Sequence, residues 1–181
     1  MNNLYYTYQN KAIQGMLDEN DKVINFMERI KEPAVANMFY SGIAEVLNKQ
    51  LNTFKANLSD KCEYKTRAVI VPHAGLIYSG QLAYEGISQL DRSIKNIFIF
   101  APAHKVSFEG LALSSYDFWK TPLGNTEINK EINQNLAQKF GAKIYDEAHK
   151  NEHSIEIQLP IIQHILGEIK IIPVLIGNEA P

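Results

Sequence analysis

NIFIFAPAHKV, residues 96–106, is a continuous apolar run that stops at Pro102 and releases a histidine, His104. A run this short, bounded by polar residues and rich in isoleucine and phenylalanine, reads as a strand covered on both faces, as in parallel sheets. The same grammar recurs outward in both directions. RAVIVP (67–72) ends at Pro72 and His73, AKIYD (142–146) leads into a loop with His149 and His153, and IKIIPVLIG (169–177) is the last apolar run. LALSS (111–115) is a further short apolar segment. Between them GQLAYEGISQL (80–90), EINKEINQNLAQKF (127–140) and SIEIQLPIIQHIL (154–166) carry helical periodicity. Strands alternating with helices predict an α/β fold, a mostly parallel sheet flanked by helices on both faces.

Ahead of this alternation the periodicity is helical alone. DKVINFMERIK (21–31) and, after Pro33, AVANMFYSGIAEVLNKQLNTFK (34–55) predict two helices within an N-terminal helical region, 11–57. TPLGNTEIN (121–129) reads as a loop in which Asn125 or Thr126 caps the following helix. With 181 residues, 45% of them hydrophobic and 21% charged, the chain suits a single domain, 1–181, around one core. A net charge of −2 without a dense Lys/Arg block argues against nucleic acid or an anionic membrane as partner. Cys62 is the only cysteine, which excludes an intramolecular disulfide and suits a reducing compartment. MNNLYYTYQN, residues 1–10, has no basic stretch followed by an apolar one, and no run approaches the roughly 18 apolar residues of a membrane span. The expected location is cytoplasmic.

Ligands of open parallel sheets gather beyond the carboxyl ends of the strands, where loops converge and the sheet body is already filled. His73, His104 and the pair His149 and His153 all follow predicted strands in this way. Neutral imidazoles brought together there, with Asp146, Glu147 or Glu152 nearby, would make a site for a first-row divalent metal. HKNEH (149–153) also matches the H-x-x-E-H pattern of a zinc peptidase, which needs both histidines one turn apart on a helix. Here the helix is expected to begin at Ser154 as N-cap, leaving His149 in a loop and His153 at the helix start, so the zinc-hydrolase reading is the weakest of the three considered. His164, inside an amphipathic helix, reads as structural or exposed. Gly75 and Gly80 suggest a strand-to-helix turn whose amides would hold an anionic group, with Tyr78 and Ser79 supplying hydroxyls; Gly75, Tyr78 and Ser79 are the candidate substrate contacts.

VPHAGLIYSG (71–80), IFIFAPAHKV (97–106), LALSSYDFWKTPLG (111–124), DEAHKNEHSIEIQLP (146–160) and IIPVLIG (171–177) together resemble the Memo family, including AmmeMemoRadiSam system protein B. The resemblance implies a fold similar to the class III extradiol dioxygenases of LigB type, which are non-haem iron enzymes. It also implies that His73, His104 and His153 line one cleft as metal ligands, with His149 in the same loop and His149 or His153 as a spare acid/base. Iron is the metal the resemblance favours; copper and zinc stay open. The family continues through an S-D-L-S-H segment and a cysteine that complete the cleft. Neither is present here, and Cys62 precedes His73, so the C-terminal part of the family fold is expected to be missing. Two functions follow as expectations. One is a metal-dependent, oxidoreductase-like or dioxygenase-like protein; the other is a non-catalytic adaptor that uses the same cleft for a peptide or small molecule.

Overall fold

The computed structural model describes residues 28–59 and 66–178. In chain order its elements are β1 (Ile30–Lys31), α1 (Ala44–Ala56), α2 (Leu76–Ser88), β2 (Asn96–Pro102), β3 (Leu111–Leu113), β4 (Phe118–Thr121), β5 (Gly124–Ile128), α3 (Lys130–Phe140), β6 (Lys143–Ile144), α4 (Asp146–Lys150), a 3-10 turn (Glu156–Gln158), α5 (Leu159–Leu166) and β7 (Lys170–Ile176). The seven strands form one sheet in the order β1-β4-β5-β7-β3-β6, with β2 on the other edge of β7. β2 and β7 run parallel over their whole length, from Asn96 opposite Lys170 to Pro102 opposite Ile176. The opposite edge of β7 is divided, pairing parallel with β5 at its start and antiparallel with β3 at its end. That split curls the sheet. Pairings of β1 with β4 and β3 with β6 are also parallel, and β4 with β5 is antiparallel, so the expected mostly parallel α/β sheet is what forms.

β7 shows why a continuous apolar run was required. Successive side chains of a strand point to opposite faces. Ile171 and Leu175 therefore join the main core, with Leu47 and Leu51 of α1, Leu76, Ala83 and Tyr84 of α2, and Ile161 of α5. Ile172 and Val174 face the other way, into a smaller core with Leu113, Ala142 and the α3 residues Ile132 and Leu136. Helices thus cover both faces at the centre of the sheet. At β2 the cover is one-sided: Ile99 and Ala101 enter the main core, whereas Phe98 and Phe100 stack on each other at 6.2 Å and stay 45% and 59% exposed.

Four local expectations are corrected. RAVIVP (67–72) has no regular secondary structure and pairs with no described strand; the neighbouring Thr66 makes an isolated bridge to Leu90, and Ile70 is fully exposed. Apolar alternation specifies side-chain faces, but a strand exists only where a second backbone satisfies its amides and carbonyls. TPLGNTEIN is no loop: it turns back β4 onto β5 as an antiparallel hairpin, with Gly124 at φ 125°. The cap of α3 is consequently Asn129, whose side chain accepts from the Ile132 amide at 3.1 Å. Third, Ser154 caps nothing, since its hydroxyl donates to the Pro102 carbonyl, and α5 starts only after the 3-10 turn, with Pro160 in its first turn. Last, the helix expected over 34–55 begins at Ala44, and residues 33–41 are a folded turn instead. The segment predicted as a helix over 21–31 falls mostly outside the described residues, as does Cys62, but its end, Ile30–Lys31, is the strand β1. Among the described residues no helix is long and apolar enough to cross a membrane.

Asn129→Ala is expected to destabilise the protein by about 0.5–2 kcal/mol through loss of the cap. Asn125→Ala, at an exposed strand position, should stay within about 0.5 kcal/mol of the parent. Urea unfolding of the two variants side by side checks the reassigned cap.

Candidate metal centre

His73 stands between two tethers. The Pro72 carbonyl before it accepts from the Gln158 side chain at 2.9 Å, and after it Gly75 leads into α2, whose Leu76 amide donates to the Phe39 carbonyl at 2.8 Å. His104 follows β2 by two residues, after the Ala103 amide has added one more bond to the Ile176 carbonyl. His153 sits in the turn between α4 and the 3-10 turn, held by the neighbouring Ser154 hydroxyl on Pro102 and by its own carbonyl accepting from the Ile157 amide. The loop that carries His153 is thereby pinned to the end of the strand that delivers His104.

These placements bring the three rings together. Centroids of His73 and His104 are 5.3 Å apart, those of His73 and His153 5.9 Å, and those of His104 and His153 4.7 Å. Each residue offers a ligand atom, and the three atoms lie within 4.8 Å of one another, so the group can hold a metal ion. Two nitrogens bound to one ion at roughly 2.1 Å each are at most about 4.2 Å apart. In tetrahedral geometry such a pair stands about 3.4 Å apart, so the widest separation must close by roughly 1.4 Å before all three bind one ion. Burial lowers the pKa of His73 and of His153, with the neighbouring imidazoles adding to it and Glu152 opposing it. Both rings are thus held in the neutral form that coordinates a metal.

Glu152 lies beneath the group, with its side chain 1% exposed. Its Oε2 accepts from the His104 amide at 2.5 Å, and its Oε1 accepts from the His104 ring Nδ1 at 3.0 Å and from the amides of His153 and Ser154 at 2.8 and 3.1 Å. Burial alone would raise its pKa; the hydrogen bonds from His104, Ser154 and His153 outweigh it and hold the carboxyl at about 2. The carboxylate is ionised but spoken for on both oxygens. A metal ion held by this group would accordingly meet three imidazoles, not two imidazoles and a carboxylate.

The other sequence candidates lie elsewhere. His149 belongs to α4, not to a loop, and is fully buried; its Nε2 donates to the Ala112 carbonyl at 3.1 Å and its ring meets Trp119 edge-on at 5.4 Å. Burial brings its pKa down to about 4, with the Ala112 hydrogen bond opposing. With α4 ending at Lys150, His149 and His153 do not share a helix, and the peptidase arrangement is not formed. Asp146 is engaged by Arg29 and Ser115, and Glu147 is exposed beside Lys150. Tyr78 is 86% exposed, Ser79 donates to the Ala74 carbonyl, and the α2 amide at Leu76 is already taken by Phe39. Gly80 lies inside α2, where an added Cβ would meet the Phe54 ring at 2.7 Å, so its role is close helix packing. His164 bonds Tyr84 and Asn52 between the helices.

Sequence patterning missed Phe39, whose ring packs on His153 at 4.8 Å. It sits in a stretch that mimics helical periodicity, so no local signal marks it. A cavity of about 410 Å³ opens at the other end of β7, near Asp117, Glu127, Lys130 and Lys170. Two ion pairs line it, Lys130 with Asp117 and Lys170 with Glu127, together with Glu28 and Glu131, and none of the three histidines does.

Comparison with known proteins matches residues 31–181 to the family model described as Memo-like protein. A MEMO1 family protein of Schizosaccharomyces pombe is 35% identical over 160 residues, covering 83% of this chain and 51% of that protein. One from Aquifex aeolicus is 36% identical over 149 residues (82% and 55%), and one from Thermoplasma volcanium 34% over 154 residues (83% and 56%). The chain spans about half the length of these relatives.

Proposed function

Because this chain belongs to the Memo-like protein family, we propose that His73, His104 and His153 hold one divalent metal ion in a solvent-accessible cleft that takes a small molecule. The observation that carries the proposal is the approach of the three ligand atoms to within 4.8 Å of one another. Imidazoles suit iron, copper or zinc. Iron comes first because of the resemblance to extradiol dioxygenases, and the reaction is of oxidoreductase type. When bound, the metal would supply Lewis acidity and, if redox-active, electron transfer. The chain's own part is to present three imidazole nitrogens from one side and leave the remaining positions to solvent and ligand. Phe39 excludes water from one flank of His153, while His104 faces the opening. Among the described residues no free carboxylate joins the three imidazoles, unlike the two-histidine, one-carboxylate set of non-haem iron oxygenases.

Metal analysis of untagged protein, reconstituted separately with Fe(II), Cu(II) and Zn(II) and then desalted, tests the site. The expected result is one equivalent in the parent and less than about a tenth of that in His73→Ala and His104→Ala, with far-UV circular dichroism unchanged, since the ligands supply the affinity. A parent that retains none of the three metals, or variants that load as the parent does, would falsify the assignment. Such a result would favour the second reading, a binding module for a peptide or small molecule. That reading is supported by Ile77, Tyr78 and Leu82, which project from α2 beyond the His73 loop at 81%, 86% and 63% exposure.

A further inference from the structure

We infer that Glu152 is a positioning residue that sets the tautomer of one metal-site imidazole, His104. This rests on the metal-site reading above and deepens it. The carboxylate oxygen Oε1 is hydrogen-bonded to Nδ1 of His104 at 3.0 Å, while Nδ1 of His153 lies equally close as an ion-pair contact alone. An ionised carboxylate only accepts hydrogen bonds. A ring nitrogen lone pair facing the oxygen is repelled, whereas an N–H is attracted, so His104 carries its proton on Nδ1. Its Nε2 is then the lone-pair atom, the one a metal can take. A carboxylate that orients a metal-binding histidine through its second nitrogen is a recurrent device, and its loss commonly weakens metal binding 10–100-fold.

The surroundings explain why the group must be an ionised glutamate. Both oxygens are filled by donors: the amides of His104, His153 and Ser154 and the His104 ring. Among the described residues its ion-pair contacts are both imidazoles, with no lysine or arginine. Its negative charge is therefore directed at the cluster, where it complements a divalent cation. Glutamine at this position would set an NH₂ donor against one of those donors, which removes both the charge and part of the acceptor geometry.

Two measurements on the full chain test this. In metal-free wild-type protein near pH 8, long-range ¹H–¹⁵N correlation of the imidazoles is expected to show Nδ1–H for His104, with His73 and His153 unconstrained. In Glu152→Gln the His104 ring should move to the Nε2–H form, and Zn²⁺ affinity by competition with a chromophoric chelator should fall 10–100-fold. Nε2–H on His104 in the wild type overturns the inference without any variant having to fold. So does a Glu152→Gln protein that binds Zn²⁺ within about threefold of the parent, well short of that loss. If the wild type binds no Zn²⁺ yet shows Nδ1–H on His104, the metal site falls and the tautomer control stands.

Discussion

Glu156→Ala is expected to lose about 3–5 kcal/mol of folding stability, the range typical of breaking a buried ion pair by deleting one partner. Glu156 and Lys31 meet at 2.7 Å with side chains 1% and 2% exposed. The carboxylate also accepts from the Ala34 and Val35 amides and the Tyr40 hydroxyl, and Lys31 lies over the Trp119 ring at 4.7 Å. Deleting it strands an ammonium, two amides and a phenol in the interior. With total stabilities commonly about 5–15 kcal/mol, such a loss is a large fraction of what holds the fold. Glu156→Gln keeps an acceptor for the amides but leaves Lys31 without a counter-charge, and should show most of the loss. Urea unfolding should move the midpoint with little change of slope. Glu147→Ala, whose side chain is 60% exposed, serves as control within about 0.5 kcal/mol. The idea fails if Glu156→Ala unfolds where the control does. Because residues 33–41 carry Phe39 to His153, the same variant should also load metal poorly.

Acid should destabilise the protein through His149. Its pKa drops from the ordinary 6.5 to about 4 in the folded state, chiefly by burial. As pH falls below 6.5 the unfolded chain takes up this proton and the folded chain does not. Stability from this residue is therefore full above pH 6.5 and is lost as pH descends through about 4. At about 1.4 kcal/mol for each pH unit of the window, the loss reaches roughly 3 kcal/mol. His149→Gln, which preserves a donor for the Ala112 carbonyl, should flatten the dependence by about one proton between pH 6.5 and 4. The other histidines are common to both proteins, so the difference between the two curves isolates this one. Superimposable curves would refute the assignment.

Part of this was legible in residue order. Strands β2 and β7 and helices α3 and α5 lie within segments whose periodicity announces them, and α2 starts four residues ahead of its segment, at Leu76. Of the three clustered histidines, His104 was readable because it follows a strand that delivers its loop to the rim of the sheet. His73 follows a segment that pairs with no described strand, and the Gln158 and Phe39 bonds place it instead. Residues 33–41 and the hairpin β4–β5 were not. In the first, a helix-like pattern is overridden by the Glu156 carboxylate, which takes two of its amides from more than a hundred residues away along the chain. In the second, the strand pairs are a turn and a few residues, with too little alternation to separate them from a loop.

By itself, then, the sequence determined the α/β class, the apolar faces that pack it and the place of His104 at the rim of the sheet. It could not say which way any imidazole turned. His149 and His153 are four residues apart and meet opposite fates, one sealed against Trp119 and one in the cluster, because α4 ends between them at Lys150. Only tertiary structure decided that, and only it put Glu152 under two rings. Burial, hydrogen-bond partners and local dielectric are properties of what the folded chain brings alongside a residue, and local pattern carries no record of them.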